Sequence, residues 1–256
     1  MNETIKQLQD RRSVREFTGE NIKEKDLQAI LYTAQRAANS VNGQQTSLIV
    51  IRDKQKLEKI AELCGGQKHI AEASVFVFVV MDFYRGVYAA ESVGKRNIGP
   101  LSADGILVGA IDAGIVVNAL QTAAIALGYG TTVIGAIRKN SKEIIKMLGL
   151  PKYVFPLIGS TIGVPAERPL TRVKPRVPLD TFAFEDKYDA EKVKEGVEFH
   201  EKDINEWRKE NGTPQLPSYK EMIVRIYENF YNESKKELEE QGFKFADKLE
   251  EELWIF

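Results

Sequence analysis

The stretch DAGIVVNALQTAAIALGYG, residues 112–130, combines helical spacing of apolar residues with many small side chains. This pattern predicts a long helix over 104–127 that Gly128 and Gly130 end. Small side chains let neighbouring backbones approach closely. We therefore expect a central, well-buried helix, around which the rest of the fold is arranged.

Membrane insertion and export are not expected from the sequence. The most apolar part of the helix, residues 110–127, contains Asp112, Asn118 and Gln121 and is interpreted as too short and too polar to span a membrane. The charged N-terminus contains no apolar signal-peptide region. We expect a cytoplasmic protein.

Apolar runs and helical spacing along the chain predict helices interspersed with about four buried strands. The strands are expected at Ser47–Arg52, Val75–Met81, Thr131–Ile137 and Pro156–Val164, and further helices at 2–11, 24–38, 55–64, 141–149, 222–230 and 234–241. This order indicates an α+β layered fold.

The charge of the 256-residue chain is unevenly distributed. Its 36 Lys and Arg against 37 Asp and Glu give a net charge of −1, but residues 1–184 carry +7 and residues 185–256 carry −8. The near-neutral total argues against nucleic-acid binding. A division into a core over 1–184 and a charged helical extension over 185–256 is expected, with the extension packed on the core or on a second chain.

Composition excludes several kinds of site. With one Cys and two His, the chain cannot form a Cys-cluster or three-His metal site, and no metal is expected. The P-loop, dinucleotide-binding, HExxH, CxxC and GxSxG motifs are all absent.

Two basic segments are candidate anion sites. Arg11-Arg12-Ser13-Val14-Arg15 places three guanidinium groups and a hydroxyl within five residues, which suits a phosphate. Lys174-Pro175-Arg176-Val177-Pro178 holds two cations on a backbone that proline restrains. Taken singly, each segment is more often a solvated surface loop.

Three further segments are candidates for ligand contact. They are the polar loop Asn39–Gln44, the segment Cys64–His69 with its Gly-Gly pair, and Ile134–Arg138 at a strand end, where small residues could expose a backbone N–H. Cys64 and His69 could form a nucleophile pair, but a lone Cys ending an apolar helix is more often a core residue.

Together and in this order, six segments resemble the flavin-dependent nitroreductase family, most closely its oxygen-insensitive NADPH nitroreductase and flavin reductase branch. They are RRSVREF (11–17), SVNGQ (40–44), GGQKHI (65–70), DAGIVVNALQTAAIALGYG (112–130), VIGAIRKN (133–140) and KPRVP (174–178). The resemblance covers residues 1–180 well. It implies a mainly antiparallel central sheet flanked by helices, in an intertwined homodimer with two interfacial sites.

The resemblance also implies a noncovalently bound FMN. Its phosphate and polar edge would be held by Arg11, Arg12, Ser13, Arg15, Lys174 and Arg176, and its ring would contact Gln67 and a backbone N–H within Ile134, Gly135 and Ala136. Asn39, Ser40 and Asn42 would reach the flavin of the other subunit. Arg208 and Lys209 are the candidates for a nicotinamide 2′-phosphate.

The implied activity is ping-pong hydride transfer from NADPH or NADH, through FMN, to a nitroaromatic, a quinone or free flavin. No side-chain nucleophile is required. The alternatives are a flavin- or nucleotide-binding module without turnover, another two-electron chemistry on the same fold, and a Cys64 thiol enzyme.

Overall fold

The computed structural model describes residues 2–166, 172–228 and 233–246. The described residues form two compact units: one comprises residues 2–166 and 233–246, the other residues 172–228. This division differs from the expected one after residue 184, because the boundary falls earlier and the described residues 233–246 return to the first unit.

The first unit is built on a four-stranded antiparallel sheet. Its strands are β1 (Thr46–Ile51), β2 (Val75–Asp82), β3 (Gly130–Ile134) and β4 (Val154–Gly163), in the order β1-β2-β4-β3. The expected α+β fold with an antiparallel sheet is confirmed. β3 ends three residues earlier than expected, because the chain turns into a 3₁₀ helix over Ala136–Asn140.

Ten α-helices are described along the chain. They are α1 (Glu3–Gln9), α2 (Glu24–Gln35), α3 (Lys54–Leu63), α4 (Lys68–Glu72), α5 (Tyr84–Glu91), α6 (Ala103–Ala126), α7 (Ser141–Leu148), α8 (Ala190–Glu210), α9 (Tyr219–Glu228) and α10 (Ser234–Glu240). Of these, α8 and α9 lie in the second unit.

Both faces of the sheet are covered because β2 is apolar on both sides. Phe76 and Phe78 point into a cluster with α3 and α7. Their neighbours Val77 and Val79 point into a second cluster with α2 and α6. Successive residues of a strand face opposite sides, so a continuous apolar run predicts this double coverage.

The α6 helix occupies the predicted central position and is longer than its apolar part. It runs for 24 residues, and its buried residues include Asp112, Val116 and Leu120. By length and composition alone it could cross a membrane, contrary to the expectation that it is too short and too polar. A buried core helix can be equally long and apolar, and α6 packs on the sheet.

The chain re-enters the first unit after residue 233. Leu238 and Phe243 are buried in a cluster with Met81 and Phe155, the latter two on β2 and β4. Burial of these side chains fixes α10 against one end of the sheet.

In the second unit, residues 172–181 run antiparallel to α8. Arg172 bonds Asp203 at 2.8 Å, and its carbonyl accepts from Trp207 Nε1 at 2.9 Å. Thr181 packs against Gly196, nearer the start of α8. A Cβ on Gly196 would lie only 2.4 Å from Thr181 Oγ1. The basic loop at 174–178 is therefore held between two fixed points.

Candidate functional site

The arginine-rich segment lies along the free edge of β3. Val14 N donates to Thr131 O at 2.9 Å, and Thr132 Oγ1 donates to Val14 O at 2.5 Å. Gly130 permits this approach, because a Cβ there would lie 2.6 Å from the Val14 side chain. The four predicted contact residues are thereby fixed beside the sheet: Arg11 and Arg12 half-buried, Ser13 and Arg15 exposed.

The Gly-Gly pair ends α3 and turns the chain into α4. Gly65 and Gly66 have φ of +85° and +78°, a region that favours glycine. Just beyond them Gln67 is half-buried, and its Nε2 donates to Cys64 O at 2.9 Å. The segment is thus a fixed turn at the end of α3.

The turn after β3 packs against this same end of α3. Asn140 Nδ2 donates to Leu63 O at 2.6 Å, and Lys139 Nζ lies 3.8 Å from where a Cβ of Gly65 would stand. Three predicted contact residues open this turn: Ile134 buried, Gly135 and Ala136 half-buried. The turn and the Gly-Gly segment are therefore neighbours.

His69 is a candidate that the sequence reasoning missed as a ligand-binding residue. Its Nε2 is buried and has no hydrogen-bond partner among the described residues. Burial lowers the pKa of His69, and the positive charge of Arg15 lowers it further against the opposing effect of Glu72. The charge of Arg15 thus acts on His69, 54 positions later in the chain.

Cys64 does not fit the thiol-enzyme alternative. It is 3% exposed, and burial raises the pKa of its thiol to about 12. A nucleophilic Cys needs its thiolate near neutral pH, and this environment opposes it. The residue is part of the core cluster between α3 and the sheet.

This group of residues fits an anionic, hydrogen-bonding ligand such as FMN. It combines guanidinium groups at 11–15, an orphaned buried nitrogen on His69 and a small-residue turn at 134–136. An orphaned buried polar atom is costly without a partner, which points to a ligand that supplies one.

The polar loop Asn39–Gln44 lies elsewhere in the same unit. Two hydrogen bonds cross the loop. Gln44 N donates to Asn39 Oδ1 at 3.0 Å, and Gly43 N donates to Ser40 O at 2.8 Å. Asn39 and Ser40 are half-buried, whereas Asn42 is exposed. The loop leads directly into β1.

Three residues of the loop hold a left-handed backbone without being glycine. Val41, Asn42 and Gln44 have φ of 48°, 54° and 53°. Such conformations cost roughly 1–3 kcal/mol each and persist only where the surroundings enforce them. Val41 is β-branched and 94% exposed, so its own packing within the chain cannot be what enforces them.

Within one chain the predicted residues form two separate groups. The loop adjoins β1, and the arginine-rich segment lines β3, the two opposite edges of the sheet. Three strand spacings separate these edges by about 14 Å. The two groups of predicted residues in the first unit therefore lie at opposite edges of its sheet.

The second unit holds the remaining predicted cations. Lys174 and Arg176 are exposed on either side of the buried Pro175. Arg176 Nη1 donates to Pro175 O at 3.0 Å, and Lys174 Nζ lies 5.9 Å from the centre of the Trp207 ring. The loop is ordered by its own contacts and by α8.

Arg208 does not fit the predicted contact to a 2′-phosphate. It is 4% exposed, and its guanidinium donates to Asn205 Oδ1 at 3.2 Å and to Pro217 O. These bonds tie the end of α8 to the chain that follows it. Lys209, the other candidate, is exposed.

Two family models match the chain. Residues 8–164 match the model of the nitroreductase family, and residues 174–246 match the model of the C-terminal domain of the nitroreductase family.

Individual relatives agree with these models. An FMN reductase [NAD(P)H] of Bacillus subtilis is 38% identical over 248 residues, 95% of this chain and 99% of the relative. An oxygen-insensitive NADPH nitroreductase of Salmonella typhimurium is 35% identical, covering 73% of this chain and 75% of the relative. The solved structure of NfrA2 from B. megaterium is 36% identical, with a TM-score of 0.92, covering 96% of this chain and all of that one.

Proposed function

Because the chain belongs to the nitroreductase family, we propose that it is an FMN-dependent NAD(P)H:acceptor oxidoreductase. The observation that carries the proposal is the placement of the arginine-rich segment along β3, the strand that leads into the turn at Gly135, with the Gly-Gly segment against that turn. The relatives named as an FMN reductase and an NADPH nitroreductase support the same activity.

FMN, when bound, accepts a hydride from the nicotinamide and passes it to the acceptor. In this proposal the chain would bind and orient the cofactor: Arg11, Arg12, Ser13 and Arg15 would hold its phosphate and polar edge, and Lys174 and Arg176 are the candidate phosphate-binding cations of the second unit. Charge-assisted hydrogen bonds from guanidinium to phosphate are among the strongest that proteins form.

Gln67 and the backbone N–H groups at 134–136 contact the flavin ring in this proposal. Donors and positive charge near the ring stabilise the negative charge that reduction places on it. No nucleophile or metal is required of the chain. The acceptors are nitroaromatics, quinones or free flavin, in a ping-pong cycle in which nicotinamide and acceptor use the same place in turn.

The two groups of predicted residues at opposite edges of the sheet support a homodimer. In a dimer, the loop at 39–44 of one subunit reaches the flavin held beside β3 of the other. A second copy also accounts for the exposed apolar stripe on α6, where Leu107 and Ile111 are each 60% exposed and Ile115 is 39% exposed. Contiguous apolar exposure of this kind marks an interaction surface.

Lys209 is the remaining candidate for the 2′-phosphate of NADPH. A lysine ammonium binds phosphate as a point charge and without the geometry of a guanidinium pair. The proposal therefore includes use of both NADPH and NADH.

Purified protein titrated with FMN, followed by oxidation of NADH and NADPH with quinone, nitroaromatic and flavin acceptors, tests this function. We expect a yellow protein that turns over both nicotinamides. Protein that takes up no FMN would contradict the proposal, and FMN uptake without nicotinamide oxidation would indicate a binding module.

A further inference from the structure

The loop at 39–44 is held at its start by a buried carboxylate. Asp112 on α6 is 2% exposed, and both of its carboxylate oxygens accept from Ser40 N, at 3.1 and 3.3 Å. A buried carboxylate is stable only when it is hydrogen-bonded. The loop and the centre of α6 are therefore bound to each other.

The end of the loop is held by a guanidinium. Arg85 on α5 donates through Nη1 to Gln44 O and through Nη2 to Ser47 Oγ at 3.3 Å. Asp82 orients this arrangement, because it accepts from Ser47 Oγ at 2.5 Å and lies 4.0 Å from Arg85 Nη2. Asp112 and Arg85, called the anchors of the loop, come from different helices and bond opposite ends of it.

Two of the left-handed residues, Val41 and Asn42, lie between the positions that Asp112 and Arg85 hold, and the third, Gln44, is the residue that Arg85 holds. A backbone that is unfavourable by itself relaxes when the contacts that enforce it are removed. Asp112 and Arg85 contact the loop from outside it, whereas Val41 at its tip projects into solvent.

We propose that Asp112 and Arg85 are positioning residues that hold the loop in the conformation that meets the flavin. This inference rests on the proposed function. Neither residue needs to touch the cofactor. Each acts through the backbone of Ser40 or Gln44 and thereby sets where Asn39, Ser40 and Asn42 stand.

The test compares FMN dissociation constants of Asp112→Ala and Arg85→Ala with two matched controls. Val117→Ala shortens another buried α6 side chain, and Arg52→Ala removes an exposed arginine paired with Glu24 far from the loop. We expect the two anchor variants to bind FMN about tenfold more weakly and the controls to stay within about twofold of wild type. Asp112→Asn, which keeps an acceptor oxygen, should regain most of the affinity.

Hydrogen exchange of the loop amides is measured on the same variants without flavin. It reports the order of the loop independently of whether the protein binds FMN. Faster exchange of the Ser40 and Gln44 region together with weaker FMN binding supports it. Wild-type FMN affinity in folded Asp112→Ala and Arg85→Ala overturns it, and if Asp112→Ala fails to fold, Arg85→Ala decides. A wild type that takes up no FMN is instead a failure of the proposed function.

Discussion

Arg15 lies within electrostatic reach of His69, whose buried Nε2 has no partner among the described residues. This relationship couples the charge of the first segment of the family resemblance to a side chain of the third. It also makes the protonation of His69 a measure of the charge at Arg15.

Removing the charge of Arg15 should therefore raise the pKa of His69. Burial still lowers it, so in Arg15→Ala the pKa should stay below the ordinary value near 6.5. Proton NMR titration measures the change. The chain has only two histidines, and His200 provides the internal reference because its own surroundings do not include Arg15.

The two histidines should make the folded protein less stable at acidic pH. Burial lowers the pKa of both His69 and His200 in the folded protein, so the unfolded chain binds protons more readily. Their contribution to stability is fully present above about pH 6.5 and is lost as the pH falls through the lowered values. The melting temperature of His69→Asn should accordingly fall less between pH 7 and pH 5 than that of the wild type.

Arg15→Ala and Arg176→Ala should each weaken FMN binding by about 1.5–3 kcal/mol, the range for hydrogen bonds to charged groups. Fluorescence quenching during titration with FMN measures this loss. Lys56→Ala, an exposed cation on α3, is the control and should bind as the wild type does. Unchanged affinity in both arginine variants would place the phosphate elsewhere.

Cys64 should be inert in the folded protein. Because burial raises its pKa to about 12, the thiol stays protonated at the pH of any ordinary assay. Iodoacetamide should label it only after denaturation, and Cys64→Ser should retain activity. Rapid labelling of native protein, or loss of activity in folded Cys64→Ser, would revive the thiol mechanism.

The two cations at the end of α8 should respond differently to substitution. Arg208→Ala leaves Pro217 O without its buried donor and should lower the free energy of unfolding by about 1–3 kcal/mol. Its KM for NADPH should not change. Lys209→Ala should leave stability intact and raise the KM for NADPH more than that for NADH, whereas equal effects on both nicotinamides would remove Lys209 from the 2′-phosphate site.

Much of the fold is predictable from local patterns. The unbroken apolar run of β2 predicted coverage on both faces, and the small residues of α6 predicted a central helix. The return of Leu238 and Phe243 to the first unit was not specified, since the sequence left open whether this segment packs on the core or on another chain. The periodicity of apolar residues predicts single helices and strands. It does not predict which distant segments pack together.

The sequence indicated which types of residue could bind a ligand, but it was less reliable on the role of each residue. Charge alone made Arg208 a phosphate candidate, and only the structure shows its guanidinium directed at Pro217. His69 received no ligand role because its orphaned nitrogen and its closeness to Arg15 are properties of the folded chain. The left-handed backbone of Val41 is equally invisible to propensity, since β-branched residues avoid that region.

The placement of the arginine-rich segment and the loop at 39–44 at opposite edges of one sheet has a genetic consequence. In the proposed dimer, a chain damaged at Arg15 and a chain damaged in the loop at 39–44 each lack a different half. A mixed dimer of the two therefore contains one site with both defects and one site with none. Two inactive alleles of this protein, expressed together, should complement each other, whereas two alleles damaged in the same half should not.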